Sequence, residues 1–127
     1  MHSSKGRILF TEDDPESSQL IKFLLQHHGY QVTCCEEAGE ALRLAKKEHF
    51  DLFLLDNWLP DVTGTELTQQ IRQFDRATPI LFYSAAAYES DKEAAMKAGA
   101  QVYLTKPEGV EDLLGEIERL INASRTV

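Results

Sequence analysis

Five side chains at four separated places in this chain have the types needed to do chemistry together. They are the acids Glu12 and Asp13, the acid Asp56, the hydroxyl Ser84 and the amine Lys106. Three carboxylates brought close together cannot all stay ionised and unpaired. A divalent cation resolves that conflict. Magnesium takes hard oxygens, keeps several waters, and is commonly held by one or two carboxylates plus a phosphate. A phosphoryl group in transfer spreads charge over three oxygens, which favour a metal ion, an ammonium and a hydroxyl donor around them. In such a group Asp56 is placed to act as the nucleophile and form an acyl phosphate. Lys106 would pair with Asp56 or with the phosphoryl group, and Ser84 would donate a hydrogen bond to it. Taken singly, each residue has a plainer explanation. Glu12 and Asp13 suit the N-terminal end of a helix, Ser84 a strand end, and Lys106 a solvated surface. Their joint value depends on whether the fold brings them to one edge.

The elements that must do so can be read from the apolar pattern. Leu52-Phe53-Leu54-Leu55 is a short, continuously apolar run that ends abruptly in Asp56, as expected of a strand buried on both faces. A charge ending such a strand is costly unless it is paired, metal-bound or held at a wet edge. Further strands are predicted over residues 7–11, 30–34, 79–84 and 101–105. Helices are predicted between and after them. The first starts at Pro15 with Asp14 as its N-cap. It presents Leu20, Ile21, Leu24 and Leu25, and ends at His27 and His28 before Gly29. The second covers residues 38–47, and the third residues 64–74 with Leu67, Ile71 and Phe74 inward. The fourth runs over about 90–98 and stops at Gly99. The last carries Val110, Leu113, Leu114, Ile117, Leu120 and Ile121, with residues 122–127 expected to fray.

Strands alternating with helices at this spacing predict an α/β fold with a parallel sheet covered on both faces. Five units are too few for an eight-stranded barrel, which leaves an open doubly wound sheet. In such sheets the functional crevice lies beyond the carboxyl ends of the strands. Glu12 with Asp13, Asp56, Ser84 and Lys106 each follow or end a strand, so the topology sends all of them to that edge.

At 127 residues the chain is expected to be one domain, residues 1–127 with a core of about 6–122. The net charge of −8 disfavours direct contact with nucleic acid, which rests on Lys and Arg neutralising phosphates. It equally disfavours adhesion to an anionic membrane. The start has no apolar signal segment, and no run is long enough to span a bilayer, so a cytoplasmic location is expected. Cys34 and Cys35 are adjacent and read as small strand-end residues rather than a redox or metal pair.

The residues also carry a resemblance. The stretches 8–15, 51–56, 59–61 with Gly64, 79–85, 98–100 and 103–107 follow one another at the spacing of a known family. The chain resembles a receiver domain of a two-component response regulator over nearly its whole length. The resemblance implies a flavodoxin-like sheet of order 2-1-3-4-5. It implies Asp56 as the acceptor of a phosphoryl group from a phosphohistidine, on a histidine kinase or a histidine phosphotransfer protein. It implies magnesium or manganese on Glu12, Asp13, Asp56 and the backbone carbonyl of Trp58. Ser84 and Tyr103 match a switch pair that reshapes the surface around the fourth helix, fifth strand and fifth helix, a surface that could also pair two copies. The Lys106–Pro107 peptide is expected to be cis. The family is a signalling domain that promotes its own phosphorylation and dephosphorylation, not an enzyme acting on other substrates.

Four positions depart from the family pattern. Asn57 stands where an aliphatic residue is common. Trp58, two past Asp56, and Ala86, two past Ser84, cannot orient an attacking water, which suggests a long-lived phosphoryl group. Val102 replaces an acid common before the switch aromatic. Competing readings are an aspartyl phosphatase, which would want an acid at Trp58, and a flavin or nucleotide module, which Glu12-Asp13-Asp14 would repel. A receiver-like docking module working without phosphorylation is the remaining alternative.

Overall fold

The computed structural model describes residues 4–106 and 110–125, Val110 by its backbone alone. The elements run β1 (Gly6–Thr11), α1 (Pro15–His27), β2 (Tyr30–Cys35), α2 (Ala38–Lys47), β3 (Leu52–Leu55), α3 (Gly64–Arg72), β4 (Ile80–Ser84), α4 (Glu89–Ala98), β5 (Val102–Thr105) and α5 (Val110–Arg125). All strand pairings are parallel, in the order β2-β1-β3-β4-β5. The doubly wound α/β sheet predicted from the alternating pattern is therefore the observed fold.

The continuous apolar runs divide by the strand period of two. Ile8, Phe10, Leu52, Leu54, Leu81 and Tyr83 face one way and pack with Ile21 and Leu25 of α1 and Leu113, Ile117 and Ile121 of α5. Leu9, Phe53, Leu55, Ile80 and Phe82 face the other way, onto Ala38 and Ala41 of α2, Leu67 and Ile71 of α3 and Ala95 of α4. Side chains of this kind contribute about 1.5–3 kcal/mol each when they leave water completely. The strands β1, β3 and β4 are buried almost throughout, while edge strand β5 is half-buried along its length.

The helix signals act as anticipated in most places. Pro15 opens α1 and the Asp14 carboxylate accepts the Ser17 N–H at 3.0 Å. Gly29 and Gly99 take φ of 96° and 124°, the left-handed side that glycine occupies cheaply.

Three expectations need correction. Leu20 is 59% exposed, because Ile21 and Leu25 form the stripe facing the sheet and Leu20 lies about 100° round the helix from Ile21. Phe74 lies beyond the end of α3 and is exposed, with the Lys46 ammonium 5.6 Å from its ring centre. Residues 122–125 do not fray. They continue α5, where Ser124 donates to the Ile121 carbonyl and Arg125 reaches Asp51 at 3.5 Å. The predicted cis Lys106–Pro107 peptide lies outside the described residues.

Candidate functional site

Backbone bonds at the C-terminal ends of the strands set the positions of the candidate residues. The Asp56 N–H donates to the Thr11 carbonyl at 3.0 Å, which aligns the end of β3 with the end of β1. The Glu12 N–H donates to the Cys35 carbonyl at 2.9 Å, and the Lys106 N–H to the Ser84 carbonyl at 2.9 Å. Thr11 is in register with Leu55, and Ser84 with Thr105. Glu12, Asp56, Ser84 and Lys106 therefore reach the same edge from four neighbouring strands, with Asp13 one residue further on.

The side chains converge there. Asp56 and Glu12 are buried and Asp13 is exposed. One carboxylate oxygen from each of Glu12, Asp13 and Asp56 lies within 4.8 Å of the others. Asp56 Oδ1 accepts the Ser84 hydroxyl at 2.7 Å and the Trp58 N–H at 3.3 Å. Its Oδ2 faces the Lys106 ammonium at 3.7 Å, and the same ammonium donates to Glu12 Oε1. Ser84 Oγ also accepts the N–H groups of Asn57 at 3.3 Å and Ala86 at 3.2 Å. Tyr103 stacks on Phe82 with centroids 5.2 Å apart, and its phenol donates to the Ala86 carbonyl at 2.5 Å.

The electrostatics follow from one ammonium serving several acids. Burial pushes Glu12 up to about 7; the Lys106 bond opposes this, but the neighbouring Asp56 carboxylate adds to the rise. Burial alone would lower Lys106, yet its bond to Glu12 and the charge of Asp56 outweigh that and keep it firmly protonated. The donor set fits magnesium. It is made of hard oxygens close together, carries more negative charge than Lys106 neutralises, and has one exposed member where waters can remain. Trp58 is 57% exposed beside this cluster, and its backbone bridges to Thr63 across the loop after Asp56.

Three side-chain partnerships that hold this loop are not among the sequence expectations. Thr63 caps α3 by accepting the Glu66 N–H at 3.1 Å. Thr63 and Glu66 have the S/T-x-x-E spacing that marks a helix start, which was signal enough. Asn57 Oδ1 accepts both the Thr65 N–H and the Thr65 hydroxyl at 3.2 Å. Asp61 accepts the N–H groups of Ala38 at 2.9 Å and Gly39 at 2.8 Å, capping α2 from the loop between β3 and α3. Neither of the last two partnerships has a local sequence signature.

Known proteins share this fold. Residues 8–118 match the model of the response regulator receiver domain. The transcriptional regulatory protein TrcR of Mycobacterium tuberculosis is 33% identical over 98% of this chain and 49% of its own length. The chain spans about half the length of the curated relatives it matches. A CheY-like response regulator receiver domain protein from Methanospirillum hungatei superposes with a TM-score of 0.92 at 32% identity, covering 97% of this chain and 98% of that one. The receiver domain of the sensor histidine kinase PA1611 from Pseudomonas aeruginosa, solved with a magnesium ion coordinated in its active-site cleft, gives 0.87 at 32% identity over 94% of this chain and 99% of that one. A match running from β1 into α5, on the strand order and clustered carboxylates found here, makes the chain a member of the response regulator receiver domain family.

Proposed function

We propose that this domain is a phosphoacceptor: Asp56 takes a phosphoryl group from a phosphohistidine, in the presence of magnesium, and passes the change to the surface formed by α4, β5 and α5. The observation that carries this reading is the convergence of the Ser84 hydroxyl and the Lys106 ammonium on opposite oxygens of Asp56, beside Glu12 and Asp13. An ionised Asp56 oxygen forms the new O–P bond while the P–N bond to the donor imidazole breaks, the bonding pair leaving with that nitrogen. Lys106 offsets the negative charge brought together in this step, and Ser84 is within reach to donate to a phosphoryl oxygen. Glu12, Asp13, Asp56 and the Trp58 carbonyl would hold the cation, which supplies charge neutralisation at the phosphoryl oxygens. The donor is a histidine kinase or a histidine phosphotransfer protein. Ser84 and Tyr103 form the switch pair, and the surface they govern also suits contact with an output partner or a second copy. The acidic balance of the chain argues against direct contact with nucleic acid or anionic membrane. Among the described residues no helix is long and apolar enough to cross a membrane, in keeping with a cytoplasmic role.

Incubation with magnesium and phosphoramidate tests the reading. Intact-mass measurement is expected to show one added phosphoryl group on the parent and none on Asp56→Ala. A folded parent that gains none would leave the alternative, a receiver-like module that docks without phosphorylation.

A further inference from the structure

The loop between Asp56 and α3 carries the Trp58 carbonyl, and its shape decides where that carbonyl lies. Trp58 pairs with Thr63 across the loop, and a bond closing the pairing runs from the Gly64 N–H to the Asn57 carbonyl at 2.8 Å. In an antiparallel pairing of this kind the N–H and C=O of Trp58 itself point away from Thr63, both to the same side. The N–H reaches Asp56 Oδ1 at 3.3 Å, so the carbonyl is turned to the acceptor side as well. Little apolar burial holds the loop there. Trp58, Pro60 and Asp61 are exposed, and Leu59 and Val62 are only half-buried. Asp61 supplies a polar tie instead. Its Oδ1 accepts the N–H groups of Ala38 at 2.9 Å and Val62 at 3.0 Å, and its Oδ2 accepts the Gly39 N–H at 2.8 Å. Ala38 and Gly39 open α2, whose own N-cap, Glu37, makes no side-chain cap bond. The first turn of α2 is therefore capped from the acceptor loop.

We propose that Asp61 is a positioning residue for the cation site: by fastening the loop to the first turn of α2, it holds the Trp58 carbonyl toward Glu12, Asp13 and Asp56. The inference rests on the reading of that carbonyl as a ligand of the cation. With Asp61 released, the loop keeps its anchors at α3, through Asn57, Thr63 and Gly64, but loses the one at α2. The carbonyl then samples more positions, and a ligand that must be ordered on binding lowers the affinity. The coupling runs both ways. Whatever Asp61 contributes to cation binding, a bound cation returns to the bonds between Asp61 and α2. The start of α2 thus registers whether the site is occupied.

Manganese serves as the probe, because free Mn2+ gives an electron paramagnetic resonance spectrum that is lost on binding, with magnesium added as competitor. Asp61→Ala is expected to weaken binding by about tenfold, the lower end of the range for partners that support metal ligands. Two controls separate the tie from other effects. Glu37→Gln removes a charge at the same helix start, and Asp75→Ala removes a comparable tie at the opposite end of the sheet. Both should bind as the parent does. Amide exchange followed by NMR reads the reverse direction without any substitution: saturating magnesium should slow exchange of the Ala38 and Gly39 N–H groups in the parent by a similar factor. An Asp61→Ala affinity within about twofold of the parent's overturns the proposal. So does an equal loss in Glu37→Gln, which assigns the effect to charge, or in Asp75→Ala, which assigns it to general loosening. Exchange at Ala38 and Gly39 that magnesium leaves unchanged overturns it as well, even where Asp61→Ala fails to fold. A parent that leaves manganese free overturns the cation site itself, whereas a parent that binds, with Asp61→Ala binding equally, overturns only the tie.

Discussion

Trp58 sits where the lifetime of a phosphoryl group on Asp56 would be decided. Its N–H is bound to Asp56 Oδ1, while its side chain is largely exposed. An indole offers one donor and no acceptor, so it cannot take a proton from an incoming water or orient its lone pair. Ala86, at the other flank, is a fully buried methyl whose carbonyl is already committed to Tyr103. A water attacking the phosphoryl group therefore meets no polar side chain from either position. The aspartyl phosphate is expected to decay slowly, and Trp58→Asn should accelerate the decay roughly fivefold, the rate equivalent of one hydrogen bond worth about 1 kcal/mol. Loss of phosphoryl group followed by intact mass after removal of the donor measures both rates. Equal rates in parent and variant would mean that Trp58 does not control access.

Between elements, the closest fit is where α3 starts beneath the acceptor strand. A Cβ on Gly64 would collide with the Asp56 carbonyl, lie 2.8 Å from Phe82 Cε2 and 3.0 Å from Asn57 Cα. Two of those neighbours are backbone atoms of the acceptor segment, which cannot move without shifting Asp56. Gly64→Ala is thus expected to destabilise the domain by about 1–3 kcal/mol, the range for overpacking a filled site, despite alanine's better helix propensity. The urea midpoint should fall, and a midpoint equal to the parent's would show that α3 can retreat freely. This contact marks the boundary of what could be read in the chain. Continuous apolar runs and helix caps are local, so the elements, their order and the edge bearing Glu12, Asp13, Asp56, Ser84 and Lys106 were legible. Leu20 was misjudged because four apolar residues over two turns of α1 include one more than the sheet-facing stripe can hold. Residues 122–125 read as a tail in the sequence because Asp51, the partner of Arg125, is distant along the chain. The bonds of Asn57 to Thr65 and of Asp61 to the start of α2 escaped for the same reason: they are made by tertiary approach, not by pattern.

Across the whole molecule, exposed and half-buried carboxylates act as ties between elements, and their protonation should loosen it as a unit. Asp51 accepts the Arg7 N–H at 2.7 Å and lies near Arg125, joining β1 to the end of α5. Asp61 joins the loop after β3 to α2. Asp75 accepts the Ala77 and Thr78 N–H groups at 3.0 Å and the Thr78 hydroxyl at 2.6 Å, fixing the turn that leads into β4. For all three, burial would raise the pKa, but the hydrogen bonds prevail, helped at Asp51 by Arg125 and His49 and at Asp75 by Arg72, and hold it below the ordinary 3.8. A folded-state pKa below the unfolded value means that the unfolded chain binds protons first as pH falls. The stability these groups contribute is therefore complete above the unfolded pKa and drains away as pH drops through the folded one. Glu12 acts in the opposite sense, because its raised value favours the protonated folded state below about 7, so it cannot cause a loss on the acid side. Asp75→Ala isolates one tie. At pH 6 it should lower stability by about 1–2 kcal/mol, as expected for removing a side chain that caps several N–H groups. The gap between parent and variant should narrow as pH falls below 4, where the parental Asp75 itself becomes protonated and a weaker acceptor. Urea midpoints taken from pH 6 down to pH 3 measure that gap. A gap that stays constant across the range would mean that Asp75 stabilises the turn by shape rather than by charge.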